Sequence, residues 1–239
     1  MSGPQDPNSL LNKRGTIKVI KEEYQSKTIP DPTIRRLSSY LRTLDILEKQ
    51  DIRVISSRKL AEIEGITDGL VRKDLSLFGS FGVRGVGYHV TPLKDQLVRI
   101  LGLDKKWDIV LIGTGETSKI FLDSEAFKKK NLQIIKIFDK TPELIGKKID
   151  GLAISNLDNL EKEINPRDVD LAIVALSPPE VQSVINRLGK IGVKGALYFA
   201  SRSISIPDGM FVRNQDVSIE LGTLTFSISQ KYGTQKKID

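Results

Sequence analysis

Cationic side chains recur on two short helical patterns and in the glycine-rich stretch that follows them. Arg58 and Lys59 lie on the first pattern, Arg72 and Lys73 near the middle of the second, and Arg84 between glycines. Guanidinium and ammonium groups bind DNA phosphates or base edges, and a thin glycine-flanked turn lets an arginine enter a minor groove. A solvated helix face carries charges of the same kind. The predicted DNA-binding set is Ser57, Arg58, Lys59, Arg72, Lys73, Arg84, Gly85 and Tyr88.

A second motif, Gly113-Thr114-Gly115-Glu116-Thr117-Ser118, follows an apolar run and opens a helical pattern. Its two glycines allow a tight turn in which backbone N–H groups approach a pyrophosphate. Asp139 closes the next apolar run, 21 residues beyond Ser118, where a carboxylate can accept hydrogen bonds from ribose hydroxyls. Ser118 stands where such loops have a third glycine, so a turn that binds nothing is an alternative. The predicted cofactor-binding set is Gly113, Thr114, Gly115, Glu116, Thr117, Ser118 and Asp139.

No catalytic set and no metal site is predicted. The chain has no cysteine, and its single histidine, His89, follows Tyr88 at the end of the glycine-rich stretch and is interpreted as structural. A dehydrogenase needs a proton donor or acceptor beside the nicotinamide, whereas Asp139 is assigned to the ribose. We therefore predict that the protein is not an enzyme and that a bound nucleotide is sensed rather than turned over.

The charge of the chain is concentrated in its first half. The 239 residues carry a formal net charge of +7, of which residues 1–106 hold +6 and residues 107–239 hold +1. A localised positive field favours approach to a polyanion such as DNA. No run reaches the roughly 18 apolar residues of a membrane helix, and the first residues lack an apolar signal core. The composition predicts a soluble, cytoplasmic protein without a membrane partner.

Helical spacing and glycines predict a winged helix-turn-helix domain over residues 28–106. One helix follows Pro32 and ends near Lys49, a second begins at Ser56-Ser57, and a third begins at Thr67 or Asp68. Gly79, Gly82, Gly85 and Gly87 alternate with apolar residues, which favours a small antiparallel ribbon, the wing. Residues 1–27 mix Pro, Gly, Ser and Lys and are predicted to form a flexible arm.

Strand and helix patterns alternate from residue 107 onward, which indicates a Rossmann-type parallel sheet over residues 107–217. The predicted fold class is therefore α/β, with a winged helix ahead of a Rossmann domain. Residues 218–239 form a predicted C-terminal helix and tail. The predicted elements are strands 109–112, 132–138, 171–176 and 195–199 and helices 117–130 and 180–191.

These motifs together resemble the redox-sensing transcriptional repressor Rex family, over about residues 28–229. The resemblance is carried by Ser56-Ser57 with Leu60-Ala61, by Val71-Arg72-Lys73-Asp74-Leu75-Ser76 with Phe78-Gly79, and by Arg84-Gly85-Val86-Gly87-Tyr88 ahead of a Rossmann domain. It implies a homodimer that represses transcription at a palindromic DNA operator and releases it when NADH binds. It also implies that NAD⁺ competes with NADH, so that repression follows the NADH/NAD⁺ ratio.

The resemblance further implies a dimer and switch set of Arg42, Asp216 and Phe226, with the C-terminal helix exchanged between subunits. Three residues depart from the family pattern near the nucleotide: Ser118 replaces glycine, Ser177 a proline, and Tyr198 an asparagine. A bulkier Ser118 is expected to hold the helix off the strand, and Tyr198 to intrude on the nicotinamide pocket. Two alternatives stay open: a Rex-like repressor that no longer senses NAD(H) or reads another ligand, and, more remotely, an NAD-dependent enzyme fused to a DNA-binding domain.

Overall fold

The computed structural model describes residues 29–122, 127, 131–201 and 203–233. The chain divides into two compact units between Asp104 and Lys105. The arm expected over residues 1–27 lies outside the described residues.

The described residues of the N-terminal unit form four helices and a small three-stranded antiparallel sheet. The elements are α1 (Asp31–Lys49), β1 (Val54–Ile55), α2 (Ser57–Glu64), α3 (Asp68–Ser76), β2 (Gly82–Val83), β3 (Gly87–His89) and α4 (Val90–Ile100). Residues of α1 spaced three and four apart are buried against α2, α3 and α4, which is the pattern of an amphipathic helix. The sheet has the order β1-β3-β2, so the wing strands β2 and β3 are anchored to the helices by β1.

The C-terminal unit contains a seven-stranded sheet with helices between its strands. The elements are β4 (Trp107–Ile112), α5 (Glu116–Leu122), β5 (Leu132–Asp139), β6 (Lys148–Ile149), β7 (Leu152–Asn156), α6 (Leu160–Glu163), β8 (Leu171–Val174), α7 (Pro178–Ile191), β9 (Gly195–Tyr198), β10 (Phe211–Asn214) and α8 (Val217–Tyr232), with a short 3₁₀ helix over Leu157–Asn159. The strand order is β10-β9-β8-β4-β5-β7-β6. All strands are parallel except β6, which pairs antiparallel to β7.

Both faces of this sheet are covered. On the central strand β4, Val110 and Ile112 pack into the cluster beneath α7, and Ile109 and Leu111 into the cluster that contains Leu122 of α5. A continuous apolar run is what a strand buried on both faces requires. Packing on both faces therefore holds the carboxyl ends of β4, β5 and β8 in place where the glycine-rich loop begins.

Several elements differ from the sequence predictions. The strands β6, β7 and β10 were not predicted, and the described part of the helix expected over 117–130 ends at Leu122 apart from Phe127. On α2, Leu60 and Ala61 fill the inward face, and Ile63 is exposed.

Candidate DNA-binding surface and nucleotide-binding edge

A side-chain cap fixes the first residue of each of the helices α2 and α3, which carry the predicted cationic residues. Ser56 Oγ accepts a hydrogen bond from the Lys59 backbone N–H at 3.1 Å, and Thr67 Oγ1 accepts one from Leu70 N–H at 3.3 Å. These bonds satisfy donors that the first helical turn leaves free. On α3, Val71 and Leu75 are buried, so Arg72 and Lys73 are exposed.

Arg72 joins the two helices of the helix-turn-helix. Its Nη1 donates to Asp68 Oδ2 at 2.6 Å on its own helix and to Ser57 Oγ at 3.0 Å on α2. The bond to Arg72 lowers the pKa of Asp68. On α2, Arg58 and Lys59 are also exposed, and Lys59 Nζ lies 3.1 Å from Glu62 Oε2. The predicted cations of α2 and α3 thus share one connected surface, and a DNA contact by Arg72 would replace or extend its bond to Asp68.

The wing presents Arg84 at its turn. The turn is closed by Val86 N–H donating to Val83 O at 3.0 Å, and Gly85 has φ +80°, a conformation that glycine adopts without strain. Arg84 and Gly85 are exposed. Tyr88 instead is 8% exposed and belongs to the core of the unit, and its burial raises its pKa. This placement makes Tyr88 a support of the wing, and its predicted DNA contact stays a prediction.

A buried acid on α3 was not recognised as a site residue from the sequence. Asp74 is 1% exposed and accepts hydrogen bonds from Arg36 Nε and Nη2 at 2.6 and 2.7 Å, Tyr40 Oη at 2.8 Å and Thr33 Oγ1 at 3.2 Å. Burial acts to raise the pKa of Asp74, but the bonds from Arg36 and Tyr40 outweigh it, so the pKa is lowered. Asp74 therefore ties α3 to α1. The sequence did contain a signal for this burial, because Asp74 lies three residues after Val71 and directly before Leu75, both of which face inward.

In the C-terminal unit, the loop after β4 has one closely packed glycine and one open one. Gly113 has φ +91°, and a Cβ there would lie 2.4 Å from Ala175 O in the loop after β8. Only glycine fits such an approach. A Cβ on Gly115 would have nothing within 4 Å. The loop is thus packed tightly against its neighbour on one side and leaves the backbone at Gly115 open to a ligand.

Ser118 has a hydrogen-bond partner within the loop. It is fully buried, and its Oγ donates to Gly113 O at 2.6 Å. The expectation that Ser118 holds α5 off the sheet stays a prediction.

Asp139, at the end of β5, holds the same loop from the other side. Its Oδ2 accepts from Thr114 N–H at 2.8 Å and Thr114 Oγ1 at 2.6 Å, and its Oδ1 accepts from Thr141 N–H at 2.9 Å. Burial acts to raise the pKa of Asp139, but these bonds outweigh it and lower the pKa. The carboxylate is 6% exposed and holds the loop through its bonds to Thr114 and Thr141.

The other residues near this edge have partners of their own. Glu116 is exposed and paired with Lys119 at 2.6 Å, and Thr117 is half-buried in the first turn of α5. Ser177 Oγ donates to Glu180, which also accepts from Lys140 Nζ. Tyr198 is buried in the core cluster of the sheet, where it packs against other residues of the protein. Its expected intrusion on the nicotinamide pocket stays a prediction.

The three predicted switch residues are all present on the surface. Arg42 is exposed on α1 and donates to Ser39 Oγ at 3.4 Å. Asp216 caps α8 by accepting from Ser218 N–H at 2.9 Å and Ser218 Oγ at 2.7 Å, which lowers its pKa. Phe226 is 64% exposed on α8.

Within the described ranges, no group of three or more His, Asp or Glu side chains is arranged to hold a metal ion. Over the same part of the chain, no helix is both long and apolar enough to cross a membrane.

A winged-helix unit with cationic helices, linked to a Rossmann-type unit with a glycine-rich loop, defines a class of two-domain DNA-binding regulators. Comparisons with known proteins agree. Residues 28–76 match the family model described as "Putative DNA-binding protein N-terminus", and residues 104–202 match the model "CoA binding domain".

Two curated relatives are each named "Redox-sensing transcriptional repressor Rex". The protein of Carboxydothermus hydrogenoformans is 40% identical over 200 residues, which cover 84% of this chain and 96% of that protein. The protein of Syntrophobacter fumaroxidans is 40% identical over 202 residues, with the same coverage of 84% and 96%. The chain therefore belongs to the redox-sensing transcriptional repressor Rex family, and its members are named as regulators of transcription, not as enzymes.

Solved structures extend the likeness to the fold. The complex of RSP with β-NAD⁺ and operator DNA has a TM-score of 0.79 at 32% identity, covering 86% of this chain and 94% of that one. The complex of RSP with β-NADH has a TM-score of 0.78 at 31% identity, covering 86% and 96%. The predicted winged-helix and Rossmann architecture and the family resemblance are thereby confirmed.

Proposed function

We propose that this chain is a DNA-binding transcriptional repressor that senses the NADH/NAD⁺ ratio and releases a palindromic operator when NADH binds. One observation carries the proposal. This chain, a member of the Rex family, has both an exposed cationic helix-turn-helix and an open glycine-rich loop beside Asp139. A repressor acts on the chromosome, so we place the protein in the cytoplasm at the nucleoid.

The DNA-binding part rests on the exposed cations of α2, α3 and the wing. Arg72 and Lys73 are suited to base edges or phosphates, Arg58 and Lys59 to the backbone, and Arg84 to a minor groove. Ser57 bonds Arg72 at 3.0 Å, so it holds that guanidinium at the junction of the two helices. Gly85 gives the wing turn its shape.

The nucleotide-binding part rests on the fit of the loop to a dinucleotide. Gly115 leaves room for close approach of a pyrophosphate, and Asp139 lies at the end of β5, bonded to Thr114 of the same loop, where such folds place the acid that binds the ribose. The structures of RSP with β-NAD⁺ and with β-NADH show that a family member takes both forms. When bound, the nicotinamide ring would supply the difference in redox form that the protein reads, as a regulatory ligand.

The homodimer rests on α8, whose residues are all exposed. At 100° per residue, Val217, Leu221 and Leu224 lie on one side of the helix and Ile219 and Phe226 on the opposite side. A helix that is apolar on two opposite sides needs protein on both. We infer that it is exchanged into a second subunit, with Arg42 and Asp216 contributing to the contacts that distinguish the two states.

Regulation then follows from a difference in affinity. A ligand shifts an equilibrium between two arrangements only as far as it prefers one of them. Two recognition helices fit successive major grooves only at one spacing, so a modest change in the dimer is enough to lose the operator.

The experiment is fluorescence anisotropy of a labelled palindromic operator with the full chain, titrated with NADH and then NAD⁺ at fixed salt. Release by NADH with little release by NAD⁺ supports the proposal. Tight operator binding that neither nucleotide changes would instead favour a Rex-like repressor that does not sense NAD(H). Turnover of NADH would favour the fused enzyme.

The same assay tests the DNA surface through Arg72→Ala. We expect a loss of about 1–3 kcal/mol if the guanidinium reads a base. Arg99→Ala, at an exposed position on α4, removes the same charge outside the proposed surface and is the matched control. An isotherm for Arg72→Ala that matches that of Arg99→Ala would remove Arg72 from the proposed site.

A further inference from the structure

Two charged residues face each other across the carboxyl edge of the sheet, on either side of the glycine-rich loop. Lys140 follows Asp139 at the end of β5, and Glu180 lies in the first turn of α7, directly after β8. The strand order β8-β4-β5 places β4 and its loop between them. Any contact between these two side chains must therefore pass over the end of β4.

The two residues form an ion pair. Lys140 Nζ donates to Glu180 Oε1, and Ser177 Oγ donates to Glu180 Oε2. The side chains are 59% exposed for Lys140 and 28% exposed for Glu180. The hydrogen bond from Lys140, followed by that from Ser177, lowers the pKa of Glu180, so the acid stays charged near neutral pH.

The position of the pair coincides with the crevice where nucleotides enter this kind of sheet. After β4 the chain adds β5 on one side of β4, and it later adds β8 on the other side. The direction in which strands are added to the sheet therefore reverses between β4 and β8. In open α/β sheets, ligands bind outside the carboxyl ends of the strands at this reversal. The ion pair spans that point, with Asp139 directly next to Lys140.

We propose that the Lys140–Glu180 pair, steadied by Ser177, is a gate over the adenosine end of the nucleotide crevice and sets the affinity for the dinucleotide. The inference rests on the proposed nucleotide binding. The pair must separate before an adenine ring enters between the ends of β5 and β8, and the apparent affinity is reduced by the fraction of molecules in which the gate is closed.

The gate is weak enough to open. An ion pair this exposed contributes roughly 0.2–1 kcal/mol, so removing it raises the affinity by about two- to fivefold. The Debye length is about 10 Å at 0.1 M salt and shortens as salt is added, so added salt weakens the attraction between exposed charges. The advantage of an opened variant over the parent chain therefore shrinks as the salt concentration rises.

Two variants separate gating from simple charge attraction. Glu180→Gln opens the gate and also removes a negative charge, which by itself favours an anionic ligand. Lys140→Met opens the gate and removes a positive charge, which by itself disfavours that ligand. Gating predicts tighter binding in both variants, whereas charge alone predicts opposite changes, so Lys140→Met is the decisive variant.

The control is Glu161→Gln on α6, which removes the ion-pair partner of Arg187 on α7; Arg187 Nε and Glu161 Oε1 lie 2.5 Å apart. It makes the same charge change as Glu180→Gln away from the crevice. Its effect on affinity measures the general contribution of one negative charge.

The measurement is equilibrium titration of the full chain with NADH, followed by its fluorescence, at low and high salt. Tighter binding in both gate variants, about two- to fivefold at low salt and less at high salt, supports the gate. Weaker binding by Lys140→Met with tighter binding by Glu180→Gln would overturn it in favour of a phosphate-binding lysine.

The remaining outcomes separate the gate from the proposed function. NADH binding by the parent chain with no change in either variant would overturn the gate alone. An absence of NADH binding in the parent chain and in both variants would overturn nucleotide sensing and the gate with it.

Discussion

The buried carboxylate of Asp74 bonds α3 to α1. Its bonds to Arg36, Tyr40 and Thr33 all reach the same helix, α1. A buried charge is tolerated only when it is paired and hydrogen-bonded. The cationic residues of α3 are thus presented by a helix that an ionic contact, and not only apolar packing, holds in place.

We expect Asp74→Asn to lower the free energy of unfolding of the N-terminal unit by about 1–3 kcal/mol, because a buried hydrogen-bond network loses its charge and leaves the Arg36 guanidinium unpaired. Differential scanning calorimetry measures the change. Asp95→Asn, at an exposed position in the same unit, is the control. Equal midpoints for the two variants would show that the network contributes nothing.

The same residue predicts a dependence on pH. The folded pKa of Asp74 lies below its ordinary value of 3.8, so its contribution is fully present above that value and is lost as the pH falls through the folded pKa. Stability measured by calorimetry between about pH 5 and pH 2 should therefore fall less steeply in Asp74→Asn than in the parent chain. Parallel curves would contradict the lowered pKa.

Ser118 gives a second prediction at this scale. Ser118→Ala removes the bond to Gly113 O without changing the helix, and we expect a loss of about 0.5–1.5 kcal/mol. Urea unfolding followed by the fluorescence of Trp107, the single tryptophan and the first residue of β4, reports on this unit. Ser205→Ala, on an exposed loop, should be near neutral. A neutral Ser118→Ala would mean that the hydroxyl only fills space.

At the scale of the element, the wing depends on glycines for two different reasons. Gly85 has φ +80° and would have no atom within 4 Å of a Cβ, whereas Gly87 has φ +114° and its Cβ would lie 2.5 Å from Ile55 O. Gly85 is therefore needed for its left-handed backbone conformation in the turn, whereas Gly87 is needed because β3 approaches the end of β1 closely.

The two glycines form a matched pair of variants. Gly85→Ala should cost about 1–2 kcal/mol from the left-handed conformation alone. Gly87→Ala adds a clash with backbone that cannot move without breaking the β1–β3 pairing, so it should lower both the melting temperature and operator affinity further. Circular dichroism and operator anisotropy measure the two effects. Similar losses for both variants would show that Ile55 yields to the added methyl group.

At the scale of the whole molecule, α8 is an element that the single chain does not bury. Its exposed apolar side chains occupy two opposite sides of the helix, an arrangement that no single packing surface satisfies. They are Val217, Ile219, Leu221, Leu224, Phe226 and Ile228.

We expect Phe226→Asp to shift the protein from dimer to monomer. Burying one phenylalanine side chain contributes about 1.5–3 kcal/mol, and a symmetric dimer loses it twice. Sedimentation velocity over a range of concentrations measures the shift. Ile63→Asp, at another exposed apolar position, is the control. A dimer that Phe226→Asp leaves intact would place the interface elsewhere.

Much of the architecture could be predicted from local pattern. Helix caps at Ser56 and Thr67, the glycines of the wing and the apolar runs of β4 and β5 are local signals, because caps, positive φ and buried strands each restrict the residue types at one position. The strands β6, β7 and β10 escaped prediction. These strands have two to five residues, and such short runs gain their stability from the strands beside them rather than from their own pattern.

The amino-acid sequence by itself determined the order of the two domains, the cationic helices, the glycine-rich loop and the acid at Asp139, since each depends on residue type and spacing. Only the tertiary structure decided which groups meet. The hydroxyl of Ser118 bonds a loop carbonyl, Asp74 binds α1, and Lys140 reaches Glu180 across β4. The contacts of Asp74 and Lys140 join residues 34 to 41 positions apart, and such pairings arise from how helices and strands pack, not from any local pattern in the chain.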